Sequence, residues 1–337
     1  MRLIKKYIPL CIKCPISIFL KEVGKIPLQL VWTHMYCGYV NSKNSSKAIK
    51  EKAHDISKRK TYKYLESHYR ELVLKLTQKP YFGDKIDNAP IWVMWWQGEQ
   101  KAPEIVKHCI SSIKRNSGNH PVKIVDSTNY QEYVDIPEHI AEKFSQGIIS
   151  VTHFSDYYRM ALLEKYGGLW IDASIYVKNK IEDSCFLGPL FTVKNPGKDE
   201  INISNWEWTV GVIGGWKGNT LFNAVRKLLE DYWKSYDATV NYFIFDYMIK
   251  MLYDNCDFLK TMIQAVPENN SHFYYLQNNA DLPFSEDANE AEVKSDTFFY
   301  KISWKGKYLL KTAEGEDTVY SKWVKECIEL ETTKSEK

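Results

Sequence analysis

Asp156, Arg159 and Asp172 lie in one short stretch, Ser155-Asp156-Tyr157-Tyr158-Arg159 followed by Tyr166-Gly167-Gly168-Leu169-Trp170-Ile171-Asp172-Ala173-Ser174. A guanidinium offers forked donors that match a phosphate. A carboxylate suits Mg²⁺ or Mn²⁺, ions that combine a few protein oxygens with phosphate oxygens. Asp156 and Arg159 are three residues apart, so on a helix they project from one side of a turn. The three groups can therefore converge on one anionic, metal-bearing ligand. Singly, each has a plainer use: Asp156 as a helix cap, Arg159 as a surface ion pair, Asp172 as a turn residue. Their order and spacing favour a site.

The elements around them must do the positioning. The pattern places a helix over 156–166, with Asp156 at its N-terminus and Gly167-Gly168 ending it. Leu169-Trp170-Ile171 reads as a buried strand running into Asp172, resumed by Ile175-Tyr176-Val177. In open α/β sheets, ligands sit beyond the carboxyl ends of the strands, which is where Asp172 falls. Upstream, Ile91 to Trp95 reads as a buried strand, Pro103 to Arg115 as an amphipathic helix and Val122 to Val125 as a strand. A helix over 138–144 follows. Downstream come strands over 190–193 and 209–213 and helices over 219–233 and 242–253. Strand–helix alternation argues an α/β core with a mostly parallel sheet.

The composition, 44% hydrophobic, 26% charged and 14% aromatic, is that of a globular chain rather than a disordered or fibrous one. The net charge of +3 hides an asymmetry, because residues 1–70 carry 15 Lys and Arg against 4 Asp and Glu. Such a basic head can meet an anionic membrane or nucleic acid. Lys58-Arg59-Lys60 is its one tight basic cluster and no recognition motif accompanies it, which leaves nucleic acid out. The run Tyr7–Leu20 has a signal-like outline without a small-residue cleavage site, and is short for a membrane span. Residues 1–40 read as lying on a membrane or packing on the body, and 41–80 as a basic helical arm capped by Ser45 or Ser46. The chain thus divides into an N-terminal region over 1–80 and a main domain over 84–330. The seven cysteines imply no disulfide framework, and Cys11 and Cys14 have no second pair at zinc spacing. No phosphate-binding glycine loop, dinucleotide fingerprint or nucleophile elbow is present, which weakens kinase, dehydrogenase and hydrolase readings.

The S-D-x-x-R…Y-G-G-x-W-x-D-A-S run resembles the sugar-binding DXD region of the capsular polysaccharide synthesis family. That family is similar to the initiating-mannosyltransferase-like enzymes and, more distantly, to the large clostridial glucosylating toxins. The resemblance spans roughly residues 88–310. It implies a GT-A-like (Rossmann-like) fold, a nucleotide-sugar-dependent hexosyltransferase activity that needs Mn²⁺ or Mg²⁺, and retention at the anomeric carbon. It places Trp95 against the nucleotide base, Asp156 and Arg159 on the donor's sugar and diphosphate, and Trp170 beside the nucleotide. Asp172 matches the first carboxylate of DXD. Ser174 replaces the second, so the metal would rest on Asp172 and Ser174. Trp206, Gly211 and Ile213-Gly214-Gly215 fall beneath the acceptor, Asp246 faces the active site as a catalytic residue beside Asp172 and Arg159, and Lys305 neutralises the leaving diphosphate.

The expected protein is therefore a transferase of surface-polysaccharide assembly, moving sugar from a nucleotide-sugar donor to a growing, lipid-linked glycan acceptor. The basic head would hold it, cytoplasmic and peripheral, on the inner face of the bacterial plasma membrane. Two rivals share the site: a toxin-like protein glycosyltransferase, and a catalytically degenerate nucleotide-sugar binding module.

Overall fold

The computed structural model describes residues 26–43, 45–195 and 201–335. Two helices, α1 (Leu28–Ser42) and α2 (Lys47–Leu76), precede the α/β body. Then follow β1 (Ile91–Met94), α3 (Glu104–Asn116), β2 (Val122–Val125), α4 (Tyr130–Tyr133), α5 (Glu138–Ser145), α6 (Val151–Tyr166) and β3 (Gly168–Ile171). Next come β4 (Ile175–Val177), α7 (Ser184–Leu187), β5 (Leu190–Thr192), β6 (Val212–Gly215), α8 (Thr220–Ser235) and α9 (Ile244–Asn255). The chain closes with α10 (Asp257–Gln264), α11 (Tyr275–Asn279), α12 (Glu286–Val293), β7 (Phe299–Lys301) and α13 (Val319–Ser335).

The central sheet has the order β2-β1-β3-β6-β5. β1 runs parallel to β2 and β3, β6 runs antiparallel to β3, and β5 is antiparallel to β6. Four strands thus share one direction, and helices flank the sheet, the mixed and mostly parallel architecture expected. β1, β3 and β6 are buried at every position because both faces are covered. Gly168 enters β3 with φ +96°, and a Cβ there would lie 2.1 Å from the Pro90 carbonyl oxygen. Only glycine allows β3 to start that close to the segment leading into β1.

Three expectations change. Asp156 does not cap its helix: α6 begins at Val151, and the Ser150 hydroxyl accepts from the His153 N–H. Phe154 packs against Phe144 and Trp96, which draws another turn into the helix. Ile175–Val177 does not resume β3, because the Asp172-Ala173-Ser174 turn redirects it to pair antiparallel with β7 in a separate two-stranded sheet. The strand expected over 209–213 lies at Val212–Gly215, where its two glycines pair with Leu169 and Gly168. Glycines weigh against a strand by pattern, yet here they permit close backbone approach.

The helical arm is not a solvated appendage. Leu65, Tyr69 and Val73 of α2 are buried in the apolar core shared with α6, α8 and α9. The Tyr64 and Tyr236 hydroxyls hydrogen-bond at 2.7 Å. The head before residue 26, with Cys11 and Cys14, lies outside the described residues.

Candidate active site

Asp172 is the first residue beyond β3, and its N–H donates to the Gly211 carbonyl at 2.8 Å. Its carboxylate is fully engaged. Oδ1 accepts from Trp170 Nε1 at 2.9 Å and Arg159 Nη2 at 3.3 Å. Oδ2 accepts from Lys301 Nζ at 3.1 Å. Burial works to raise this carboxyl, but Lys301 and Arg159, helped by the Trp170 N–H, outweigh it and hold it below the usual carboxylate range.

Arg159 is 4% exposed. Its guanidinium lies 4.8 Å over the Trp170 ring and 5.5 Å over Phe245. Nη1 is 3.5 Å from Asp156 Oδ1, and neither Nε nor Nη1 makes a hydrogen bond. Nε has no acceptor and Nη1 only this long ionic contact, so both suit an incoming anion. Burial pushes the Asp156 carboxyl up to about 7; Arg159 opposes that, and Asp246 and Asp172 add to it. Asp246, 3% exposed, accepts from Trp208 Nε1 at 2.9 Å and Asn202 Nδ2 at 3.1 Å.

Arg159 and Asp172 stand where two cavities meet. One, of about 300 Å³, is lined by Asp156, Asp246, Trp206, Trp208, Tyr274 and Lys301 among others. The second, of about 320 Å³, is lined by Trp95, Trp170, Ser174, Trp304 and Lys305. There Trp95 meets Trp304 edge-on, centroids 5.3 Å apart, and Lys305 lies over Trp304 at 4.9 Å. The Trp95 indole N–H is buried without a hydrogen-bond partner. Its neighbour Trp96 borders the same cavity and also packs into a cluster with Tyr130, Phe144 and Phe154.

Of the residues singled out from the sequence, Ile213, Gly214 and Gly215 lie within β6 and border neither cavity, Trp206 and Gly211 border the first, and the remaining eight border one or both. Asp156 and Asp246 face the first, Trp95, Trp170, Ser174 and Lys305 the second, and Arg159 and Asp172 both. Trp170 is 1% exposed and covered by Arg159, so it acts on Asp172 and Arg159 more than on a ligand. Sequence reasoning missed Lys301, Trp208 and Asn202. The one available signal for Lys301 was a lone cation in the aromatic run Phe298-Phe299-Tyr300.

A divalent ion on Asp172 and Ser174 is a poor fit. Among the described residues, no three His, Cys, Asp or Glu side chains gather as a metal site. One carboxylate plus phosphate oxygens can still suffice for Mg²⁺. The obstacle is Lys301: its ammonium is 3.1 Å from Asp172 Oδ2 and 2.8 Å from Ser174 Oγ, between the two expected ligands. Unit charges about 4 Å apart interact by about 4 kcal/mol at an effective dielectric near 20, and a divalent ion beside Lys301 meets about twice that in repulsion.

The family model described as "Capsular polysaccharide synthesis protein" matches residues 39–323. The O-glycosyltransferase braB of Annulohypoxylon truncatum is 30% identical over 119 residues, 33% of this chain and 27% of that protein. The O-glycosyltransferase PaGT of Phomopsis amygdali is 29% identical over 103 residues, 28% of this chain and 25% of that protein. The chain thus spans about a quarter of the length of these curated relatives. Among solved structures, the apo WbbM bifunctional glycosyltransferase is similar over 72% of this chain and 50% of that one, at 14% identity and a TM-score of 0.37.

Proposed function

The chain belongs to the capsular polysaccharide synthesis family, and we propose that it is a glycosyltransferase passing a sugar from a nucleoside-diphosphate donor to a hydroxyl of a growing glycan. The observation that carries this reading is the placement of Arg159, whose Nε and Nη1 make no hydrogen bond, at the junction of an aromatic cavity and a carboxylate-lined one.

The aromatic cavity suits the nucleotide. Trp95 and Trp304 offer faces and edges to a base, and Lys305 adds positive charge beside them. The carboxylate-lined cavity suits sugar: Asp156 and Asp246 offer hydrogen-bond acceptors to hydroxyls, while Trp206 and Tyr274, 5.4 Å apart, give apolar surface for a sugar face. In transfer, the bond between the anomeric carbon and the donor's phosphate oxygen breaks, leaving its electron pair on the diphosphate. The acceptor oxygen bonds to the anomeric carbon, and its proton passes to the departing phosphate oxygen, on the same face if configuration is retained. Arg159 and Lys301 stabilise the charge that grows on the diphosphate. Asp172 keeps both cations in place.

A lipid-linked acceptor and a membrane-bound enzyme fit one further feature. Along α1, Leu28, Trp32, Tyr36 and Tyr39 are 58%, 65%, 50% and 60% exposed at helical spacing. No helix among the described residues is long and apolar enough to cross a membrane. An outward Leu-Trp-Tyr-Tyr stripe beside a strongly basic N-terminal region suits an anionic bilayer surface. Full-length protein should sediment with phosphatidylglycerol vesicles, and Trp32→Ser with Tyr36→Ser should reduce this; indifference of the wild type to vesicles refutes the location.

The activity itself is tested by turnover of a panel of UDP- and GDP-sugars, with CMP-sugars, which carry one phosphate, as the contrast. One donor should be consumed, and Asp172→Asn should reduce turnover by about two orders of magnitude or more. Failure to bind any nucleotide or nucleotide sugar refutes the donor reading.

A further inference from the structure

The resemblance to metal-dependent transferases calls for a cation beside Asp172 and Ser174. The structure puts one there from its own chain. Lys301 closes β7, whose register sets it opposite Ile175, the first residue after the Asp172-Ala173-Ser174 turn. Two backbone hydrogen bonds fix this arrangement: the Ile302 N–H donates to the Ser174 carbonyl at 3.1 Å, and the Lys301 N–H to the Phe273 carbonyl at 2.7 Å. The ammonium then reaches Ser174 Oγ at 2.8 Å and Asp172 Oδ2 at 3.1 Å. The other carboxylate oxygen is held by Arg159 and Trp170. The Lys301 side chain is 23% exposed and lines the carboxylate cavity, so it is open to a ligand.

Resting on the donor reading above, we propose that the Lys301 ammonium is the site's resident cation, taking the place of a divalent metal in binding the donor diphosphate. Asp172 is then a holder of cations made of protein. Its single negative charge is shared by Arg159 and Lys301, so these three groups together carry one positive charge toward the diphosphate. Ser174 fits the same logic. A second aspartate there would neutralise Lys301, whereas a hydroxyl accepts its hydrogen bond and leaves its charge for the ligand. The departure from the strict motif and the presence of a lysine across the strand pair are one device.

The test is calorimetric titration of the intact protein with UDP and with GDP, in excess EDTA and in saturating Mn²⁺. The bound diphosphate should have the same affinity within about twofold in both. Lys301→Met should weaken binding in EDTA by at least about tenfold, the loss of one charge-assisted contact. Lys301→Arg, which keeps the charge, should stay within a few-fold of wild type and controls for folding. Lys301→Asp should make binding Mn²⁺-dependent, since it frees Ser174 and adds a second carboxylate. Wild-type binding that vanishes in EDTA and returns with Mn²⁺ overturns this inference while the donor reading stands. Lys301→Met that folds and binds like wild type in EDTA overturns it too. Absence of binding to every nucleotide in both conditions overturns both readings.

Discussion

Trp170 is the residue whose role differs most from a simple stacking platform, and Trp170→Phe tests it. The substitution removes the indole N–H that donates to Asp172 Oδ1 at 2.9 Å. It keeps an aromatic face under the Arg159 guanidinium, now 4.8 Å above the ring. A hydrogen bond to a charged acceptor contributes about 1.5–3 kcal/mol, which corresponds to a fall of about 10- to 150-fold if the whole amount is felt in the transition state. The assay is kcat/KM for the donor found by the turnover panel, with thermal unfolding run beside it. If Trp170 acts through Asp172, adding Trp170→Phe to Asp172→Asn should cost little more than Asp172→Asn alone. Additive losses would show that Trp170 acts elsewhere, and a Trp170→Phe protein within about threefold of wild type would refute the argument from geometry.

Asp156, pushed up to about 7 mainly by burial, binds a proton that its unfolded form has released above about 4. Wild-type stability should therefore fall as pH rises from 5 to 8, relative to Asp156→Asn, in paired thermal melts; parallel curves would count against the buried carboxyl. His34, in α1, is pushed down to about 4 by burial and hydrogen-bonds Thr61 at 3.0 Å. It folds neutral, so stability should drop as pH falls from 6.5 toward 4, and urea unfolding of His34→Gln should show a flatter profile. Gly168→Ala forces a Cβ to within 2.1 Å of the Pro90 oxygen at φ +96°, whereas Gly218→Ala meets open space at φ +76°. The first should lose about 3 kcal/mol or more, roughly 4 °C or more in Tm; the second, about 1 kcal/mol. Equal Tm shifts would mean that strain in φ, and not the close approach, sets the cost.

Much of the fold was legible because its signals are local. β2 and the helix after Pro103 lie within a residue of their expected bounds, since a short β-branched run and an amphipathic stripe each encode their own geometry. The site motif was legible for a related reason: Arg159, Trp170 and Asp172 touch one another across a single helix-to-strand turn. What pattern could not supply were features made by distant pairing. The two tryptophans after β1 both border the second cavity, but only Trp96 also packs against Phe144 and Phe154, residues that lie far along the chain. The strand over Ile175–Val177 went to a different sheet because its partner, Phe299–Lys301, is far along the chain.

That same distant pairing carries the chemistry. A Ser in place of a second Asp looks, by motif, like a weakened metal site or a degenerate enzyme. Both readings assume that the cation comes from solution. Once β7 lies beside β4, the seat between Asp172 and Ser174 contains an ammonium. The loss of one carboxylate and the gain of one lysine together add two positive charges, the charge a divalent ion would bring, without an exchangeable ion. Asp156, Asp172 and the faces of Trp170 and Phe245 offset the burial of the Arg159 charge, while its Nε and Nη1 make no hydrogen bond within the protein and suit a bound anion. The buried guanidinium and the placed ammonium favour a working anion site, and a working anion site between an aromatic cavity and a carboxylate-lined one is what transfer from a nucleoside diphosphate sugar requires.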